Sequence, residues 1–491
     1  MKLLPTILAS SALACSFLSA ATPPDPKEAE FYTIESFVPP ADCVPEASSI
    51  ELLPNDKVAF GTRRGEIWTV ENAYDKDITK AKFTKYAEGL HEILGLAWQD
   101  GWLYVTQRPE VSRLKDVDGD GRADIFETVN ADWNILGDYH EYAFGSRPDK
   151  EGNIWVVLCL TGSFHSNAPW RGWCVRVTPK GKMIPTAAGI RSPGGIGFIP
   201  DGEVFYTDNQ GVWNGSSSMK HLVPGSFQGH SDALKWWDLA KEVMGEKPLP
   251  SADKTRIEAE RKRNPKYVPP AIVLPHGHVG NSPTAWDWDN GTKFGVFTKQ
   301  LFVADQSASV LNRVFIEKVN GVYQGACFPF LKGLRSGPIG VRMSADGSTL
   351  FVGGSDRGWG ARGGHPDGFE RVRWTGKVPF EIHEMRVKPD GFELTFTEPV
   401  DVATAKDAAS YKGREYTWEW REAYGGPEVD EVIPKLEVTE VAADGKSLHL
   451  KVTPMTLGLV HQIDLPGVKS KDGKPLLHPT GYYTLNEIPK K

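Results

Sequence analysis

One recurring pattern in residues 31–374 restricts the fold more than any other feature of the sequence. An apolar stretch leads into a polar turn, often Asp-Gly, and then into a strand of aromatic and β-branched residues. Such turns between alternating apolar strands predict β-hairpins. The copies lie at residues 52–60, 96–105, 144–156, 196–206, 286–303 (a less regular one) and 341–352.

Self-similarity at a spacing of about fifty residues is typical of propeller blades. Six copies predict an all-β chain whose main domain, residues 31–375, is a six-bladed β-propeller. The wide gap between the fourth and fifth copies predicts a helical insertion at about residues 215–270, because its apolar residues recur with helical spacing.

The pattern stops after residue 375. Residues 376–491 contain short alternating strands separated by Asp-Gly turns at 390–391, 444–445 and 472–473. This arrangement predicts a separate immunoglobulin-like β-sandwich. No cluster of titratable residues in it indicates chemistry.

The N-terminus has the features of an export signal. Lys2 is followed by an apolar run at 3–18 and by small residues at 19–21, which predicts a signal peptide at 1–21 and a secreted or periplasmic protein. Ala12 occupies the position where a lipoprotein signal before Cys15 prefers Leu, so a soluble product is favoured over a lipoprotein. No other stretch predicts a transmembrane anchor. The net charge of −7 gives no reason to expect a nucleic-acid partner.

Four cysteines follow the signal: Cys43, Cys159, Cys174 and Cys327. An even number in an oxidising compartment permits two disulfides. Cys159 and Cys174 flank one predicted hairpin and are the favoured pair. Buried free thiols are the alternative.

Residues 116–127, DVDGDGRADIFE, match a twelve-residue calcium loop, with Gly121 at the sharp turn. A strand precedes the loop where an EF-hand has a helix, so we expect a lone structural calcium site and not a sensor. A solvated acidic turn is the alternative. The predicted ligands are Asp116, Asp118, Asp120, the Arg122 carbonyl, Asp124 and Glu127.

Four further stretches resemble motifs of the soluble quinoprotein glucose/sorbosone dehydrogenases. They are GLHEILGLAW at 89–98, YHEYAFG at 139–145, GIRSPGGIGF at 189–198 and SPTAW at 282–286. The whole chain also resembles secreted dehydrogenase-like propeller proteins of planctomycete- and verrucomicrobial-type bacteria. The likeness implies a propeller that binds pyrroloquinoline quinone (PQQ) and oxidises a sugar.

The resemblance also implies roles for particular residues. His140 would take a proton from the substrate as general base, and Asp138 or Glu141 would orient it. Arg191 would lie against the quinone, whose carboxylates suit a guanidinium. The family's Gly-Gly is replaced by Glu141 and Tyr142, which could fill the cofactor cleft, and Ser192 replaces an Asn.

Further polar residues flank the predicted inner strands of the propeller. Among them, Arg335 and Arg357 are candidates for cofactor binding at a polar funnel. The alternative for His140 is a structural histidine that lines the pore beside a carboxylate.

Two hypotheses follow. The first is a secreted PQQ-dependent dehydrogenase that acts on a small carbohydrate or alcohol and passes electrons to an external acceptor such as a cytochrome. The second is a non-catalytic, calcium-stabilised propeller that binds a glycan or a partner protein.

Overall fold

A computed structural model describes residues 24–291 and 293–490. The predicted signal peptide lies outside these ranges. Within them, none of the helices combines the length and the apolar character needed to span a membrane.

Residues up to Trp374 form six consecutive sheets. The chain begins with α1 (Pro26–Ala29) and β1 (Tyr32–Ser36). The first sheet contains β2 (Ala47–Leu53), β3 (Lys57–Thr62), β4 (Ile67–Glu71) and β5 (Lys82–Ala87), with a 3-10 turn at Ile78–Lys80. The second contains β6 (Gly95–Gln99), β7 (Trp102–Thr106), β8 (Val111–Lys115) and β9 (Ile125–Asn130).

The third sheet contains β10 (Ala143–Pro148), β11 (Ile154–Leu158), β12 (Trp173–Val177) and β13 (Met183–Ala188). The fourth begins with β14 (Pro193–Phe198), β15 (Val204–Asp208) and β16 (Ser217–His221). The short β17 (Ser226–Phe227) then pairs in parallel with β13. An insertion follows, with a 3-10 helix at Ser231–Ala240, α2 (Lys241–Met244) and α3 (Ile257–Arg263), before β18 (Pro270–Leu274) completes the fourth sheet.

The fifth and sixth sheets end this part of the chain. The fifth contains β19 (Pro283–Trp288), β20 (Leu301–Asp305), β21 (Val310–Val319) and β22 (Val322–Lys332). The sixth contains β23 (Pro338–Met343), β24 (Thr349–Ser355) and β25 (Asp367–Trp374), and β1 is its fourth strand.

The first strands of the six sheets contact one another in a closed cycle: β2, β6, β10, β14, β19, β23 and again β2. Adjacent sheets pack face to face through the apolar side chains of alternate strand positions. Phe60 of β3, for example, stacks on Phe369 of β25, with 4.7 Å between ring centroids. Because β1 pairs with β25, the N-terminal strand joins the last sheet of the cycle.

Glycines let the first strands approach each other closely. A Cβ on Gly95 would lie 2.8 Å from the backbone of Gly145, and a Cβ on Gly194 would lie 2.2 Å from the Pro283 carbonyl oxygen. These glycines belong to the stretches that resemble the dehydrogenase motifs. Their role is therefore explained by strand packing, without any ligand.

The rest of the chain forms two sheets. Its elements are β26 (Ile382–Lys388), β27 (Gly391–Phe396), α4 (Val402–Lys406), a 3-10 turn at Ala408–Ser410, β28 (Lys412–Trp418), β29 (Glu428–Val432), β30 (Lys435–Val441), β31 (Ser447–Thr453), β32 (Val460–Asp464) and β33 (Thr480–Thr484). One sheet has the order β26-β27-β31-β30. The other is continuous with the ring: β33 pairs with β22, and β32, β28 and β29 extend the fifth sheet to eight strands.

One local prediction needs correction. The four cysteines from Cys43 onward are buried free thiols, so the predicted Cys159–Cys174 disulfide is wrong. Cys174 lies opposite Val157 on the neighbouring strand, whereas Cys159 has its Sγ 3.6 Å from Ser163 Oγ. The predicted helical insertion does contain helices, of which the segment Ser231–Ala240 is a 3-10 helix.

Candidate active site

A cavity of about 350 Å³ opens at the end of the ring where the first strands begin. Its floor is formed by residues at the entry to those strands: Leu94, Phe144, Pro193, Gly194, Pro283, Thr284 and Ile339. A narrower space of about 70 Å³, lined by all six first strands, continues from it along the ring axis. The cavity is therefore the mouth of the central channel.

Loops between the second and third strands form the cavity wall, because in an antiparallel sheet they return to the end where the first strand begins. Arg63 comes from this loop of the first sheet, Asn209 from that of the fourth and Gln306 from that of the fifth. The structure brings these three side chains together at the cavity.

His140 lines the cavity, in the loop before β10. Burial lowers the pKa of its imidazole below 6.5, and the positive charges of Arg191 and Arg108 add to this, against the opposing effect of Asp138. The ring is consequently neutral at pH 7 and able to accept a proton. Its Nδ1 is 3.8 Å from Asp138 Oδ1, too long for a hydrogen bond.

Asp138 acts on His140 through the backbone. Its Oδ1 accepts hydrogen bonds from the backbone N–H groups of His140 and Gly162, both at 2.8 Å. Glu141 is buried elsewhere and does not reach the imidazole. It accepts from the N–H of Leu136 at 2.6 Å and from the Thr161 hydroxyl at 2.8 Å, so it holds the loop together.

Arg191 is buried and also lines the cavity. Its Nη1 donates to the carbonyl oxygens of Asn209 at 3.2 Å and Gln210 at 2.7 Å. Its Nε is buried without a hydrogen-bond partner among the described residues. The guanidinium carbon lies 4.9 Å from the ring centroid of Tyr424, which comes from the β28–β29 loop.

Two buried aspartates hold the entry loops of the first strands. Asp208, the last residue of β15, accepts from the Ser192 N–H at 2.8 Å and from Lys220 Nζ at 3.0 Å. Asp305, the last residue of β20, accepts from the N–H groups of Asn281 and Ser282 at 2.6 and 2.7 Å. Both carboxylates thus position cavity residues without lining the cavity.

Tyr142 forms part of the cavity wall. Its hydroxyl accepts a hydrogen bond from Arg63 at 3.0 Å, and Arg108 lies over its ring at 5.3 Å. Glu92 bridges the two guanidinium groups, at 3.0 Å from Arg63 and 3.2 Å from Arg108. These contacts keep the ring at the wall, beside the open volume.

Arg335 and Arg357 do not line the cavity. Arg335 donates to the Asp367 carbonyl oxygen at 3.2 Å, at the rim of the sixth sheet. Arg357 pairs with Glu46 at 2.6 Å, while its carbonyl oxygen accepts from Arg63 at 2.7 Å. The structure therefore separates them from Arg191 and His140.

Sequence reasoning missed two aromatic residues of the cavity, Phe164 and Tyr424. Phe164 lies in the β11–β12 loop, which the repeat register could have assigned to this end of the ring. Tyr424 comes from beyond the ring, and no sequence signal indicated its position. Trp359, from the β24–β25 loop, also lines the cavity.

The acidic loop lies at the opposite end of the ring, between β8 and β9. Single carboxylate oxygens of Asp116, Asp118 and Asp120 lie within 4.8 Å of one another. Asp116 Oδ1 accepts from the Gly119 N–H at 2.7 Å, and this folds the loop around the three carboxylates. Such a set of hard oxygen ligands fits calcium.

The other predicted calcium ligands are less closely grouped. Asp124 accepts from the Val117 N–H at 2.7 Å, which closes the loop. Glu127 lies on β9 and pairs with Arg113 at 2.7 Å. Arg122 donates its backbone N–H to Asp120 at 2.8 Å.

No family model and no curated protein sequence matches the chain. Solved structures do match. A glucose dehydrogenase from a strain of Thermus thermophilus aligns with a TM-score of 0.51 and 18% identity, over 70% of this chain and 99% of that one. A Trichoderma reesei protein of Carbohydrate-Active Enzymes Family AA12, in a calcium structure, aligns with a TM-score of 0.51 and 12% identity, over 73% and 98%.

The PQQ domain of a pyranose dehydrogenase from Coprinopsis cinerea, in its holo form, aligns with a TM-score of 0.50 and 11% identity. That alignment covers 70% of this chain and 95% of the domain. At such identities the likeness establishes the fold and leaves the reaction to be argued from the cavity. The chain thus shares its all-β fold with propeller proteins that include quinone-dependent sugar dehydrogenases.

Proposed function

We propose that the protein is a secreted quinoprotein-type dehydrogenase that oxidises a sugar or another alcohol. One observation carries the proposal: His140, neutral at pH 7, and the buried Arg191 line the same cavity at the axis of the ring. A proton acceptor and a fixed cation in one concave site are what oxidation of an alcohol beside an anionic cofactor requires.

The proposal includes the domain organisation predicted from the sequence. The cyclic contacts of the first strands support a six-bladed propeller at 31–375. The two sheets beyond it support a sandwich at 376–491, joined to the ring by the β22–β33 pairing. The signal-like N-terminus supports export.

The residues of the cavity fit a quinone with carboxylate groups. The buried Nε of Arg191 lacks a partner in the described part of the chain, and a carboxylate would satisfy it. The volume of about 350 Å³ lies at the lower end of the range for small-molecule sites. When bound, the quinone supplies a hydride acceptor.

The role of the protein's own residues follows from the geometry. Nδ1 of His140 lies on the Asp138 side, which leaves Nε2 to accept the proton of a substrate hydroxyl. Asp138 fixes the backbone of His140 and thereby the direction of the ring. Arg191, held by two carbonyl oxygens, provides a fixed positive charge that needs no rearrangement. Electrons would then pass to an external acceptor such as a cytochrome.

The test is reconstitution of the purified protein with PQQ and calcium, followed by dye reduction with aldoses and polyols. His140→Ala should lower turnover by about 10²–10⁴-fold, the usual contribution of a general base, and should leave quinone affinity within about threefold. His449→Ala, an imidazole paired with Asp390 in the C-terminal part, is the matched control and should retain full activity.

The second candidate, a non-catalytic propeller that binds a glycan, has its own support. Tyr424 lies over Arg191, so its ring would have to move before a cofactor carboxylate could approach the guanidinium from that side. Absence of PQQ binding at micromolar concentration would favour this candidate and reject the dehydrogenase.

A further inference from the structure

The mouth of the cavity is surrounded by exposed aromatic rings. Among the described residues, five large aromatic side chains are exposed, and four of them lie here. They are Tyr139 (37%), Phe164 (41%), Trp359 (48%) and Tyr424 (53%). Such a concentration of exposed apolar surface around one opening marks a binding surface.

The four rings form two pairs. Tyr139 and Trp359 lie 5.4 Å apart, and Trp359 is 5.8 Å from the ring of His140. Phe164 and Tyr424 lie 5.9 Å apart, and Tyr424 covers Arg191. Each pair therefore extends outward from one of the two residues that carry the proposed function.

The loop that bears Tyr424 is fixed to the ring by backbone hydrogen bonds. The Trp213 N–H donates to the Arg421 carbonyl oxygen at 2.8 Å, and the Gly426 N–H donates to the Gly215 carbonyl oxygen at 3.2 Å. Tyr424 consequently has a fixed position at the mouth, although it belongs to the C-terminal part of the chain.

Besides the cationic Arg63 and Arg191, the cavity presents neutral polar groups that suit a ligand rich in hydroxyls. Ser163, Ser192, Asn209 and Thr284 line it, whereas no aspartate or glutamate of the described residues does. Gln306 is buried there, and its Oε1 has no hydrogen-bond partner within residues 24–291 and 293–490. Neutral donors and acceptors beside aromatic faces suit a sugar, whose C–H faces stack on rings while its hydroxyls form hydrogen bonds.

We propose that the site binds an oligosaccharide, with one sugar unit in the cavity and further units stacked on the Phe164–Tyr424 and Tyr139–Trp359 pairs. This rests on the proposed function and names its substrate class. The rings stand at the mouth, where a monosaccharide inside the cavity leaves them uncovered. Tyr424 thus becomes a specificity-determining residue contributed from outside the ring.

The test measures binding to the quinone-free full-length protein. Cello-, malto- and xylo-oligosaccharides of one to six units are titrated by calorimetry, with tryptophan fluorescence as a second signal. In at least one series, affinity should rise roughly 2- to 10-fold with each of the first added units, as expected for aromatic stacking. Tyr424→Ala and Phe164→Ala should each remove most of the rise, measured as the ratio of the affinity for the longest oligosaccharide to the affinity for the monosaccharide.

Phe126→Ala is the matched control, because Phe126 is an exposed aromatic on β9, away from the mouth. It should leave the rise intact, and thermal melts of all variants verify folding. Affinity that stays flat with length in all three series would overturn the proposal. So would a rise that both cavity variants leave unchanged. PQQ titration reports separately on the dehydrogenase, so the two proposals can fail independently.

Discussion

Asp287 and Arg342 form an ion pair between the fifth and sixth sheets, with 3.1 Å between Oδ2 and Nη1. The other carboxylate oxygen is 3.2 Å from Arg147 of the third sheet. Arg342 in turn pairs with Glu51 of the first sheet at 3.0 Å. Four of the six sheets are thereby connected by charges around the central channel.

Removal of Asp287 should destabilise the ring strongly. Asp287→Ala leaves Arg147 without its carboxylate and Arg342 with Glu51 alone, and breaking a buried pair in this way costs about 3–5 kcal/mol. Chemical denaturation should show this loss as a lower midpoint. As a control, Glu437→Gln breaks an exposed pair with Lys435 and should change stability by less than about 0.5 kcal/mol. Equal effects of the two substitutions would contradict the role of the channel charges.

The carboxylate of Asp287 should also make the stability of the fold depend on pH in the acid range. Burial alone would raise the pKa of Asp287, but Arg147 and Arg342 lower it to about 2, below the ordinary 3.8. Its contribution to stability is therefore complete above about pH 4 and is lost as the pH falls toward 2. Denaturation midpoints between pH 2 and 5 should fall more steeply for the wild type than for Asp287→Asn.

Calcium should stabilise the acidic loop. Chelation should lower the melting temperature, since three clustered carboxylates repel each other without a cation. Asp118→Ala should reduce both calcium affinity and the melting temperature of the calcium-loaded protein. An unchanged melting temperature in excess chelator would refute a structural calcium ion.

Glu127 provides a sharper test of the loop. In the structure it pairs with Arg113, so Glu127→Gln should weaken calcium binding less than Asp118→Ala does. An equal or greater loss, measured by calcium titration, would mean that Glu127 leaves Arg113 and closes on the ion as the twelve-residue pattern predicts.

His478 should make stability depend on alkaline pH. It is buried between Glu381 at 2.6 Å and Glu28 at 3.0 Å. Burial alone would lower the pKa of the imidazole, but the two carboxylates raise it to about 9. The stabilisation is therefore complete below about pH 6.5 and is lost as the pH rises through 9.

Denaturation at pH 6 and pH 10 measures this effect. The wild type should lose stability between the two, and His478→Gln should be less stable at pH 6 but show a smaller change. His449→Gln, at the exposed pair with Asp390, is the control and should keep the wild-type dependence. A wild-type profile that is flat across this range would contradict the prediction.

The pKa of His140 should determine the pH below which kcat/KM falls, that is, the acid limb of the pH–activity profile. Because its pKa lies below 6.5, turnover of the reconstituted protein should fall only at pH values below that. Asp138→Asn keeps an oxygen that can accept the backbone N–H bonds but removes the charge that raises the pKa of His140. The limb should then move to lower pH, as measured by kcat/KM against pH. A shift to higher pH would exclude His140 as the titrating base.

The repeat allowed most of the ring to be predicted, because each hairpin is specified by local turn chemistry and alternating apolar residues. The pairing of His140 with Arg191 in one site came from the resemblance to the dehydrogenase motifs, and in the structure both residues precede a first strand and line the same mouth. Pairing between strands that are far apart in the sequence could not be predicted in this way. The attachment of β33 to β22 joins residues far apart in sequence, and nothing in either strand specifies its partner.

The site was predictable only where it follows the register of the repeat. Arg335 and Arg357 have the right charge near the right strands, yet local partners, the Asp367 carbonyl and Glu46, hold them away from the cavity. The disulfide prediction failed for a similar reason. Proximity across a hairpin does not bring two side chains together when each packs among its own neighbours.

The extension of the fifth sheet has a consequence for any attempt to prepare the ring alone. Cutting the chain after residue 375 would strip β33 from β22 and expose the edge of a largely buried strand, where the three residues from Gly325 to Cys327 would lose their pairing partners. An open apolar strand edge is a template for self-association. The isolated ring should accordingly precipitate or form linear aggregates, and it would also lack the tyrosine that overlies Arg191.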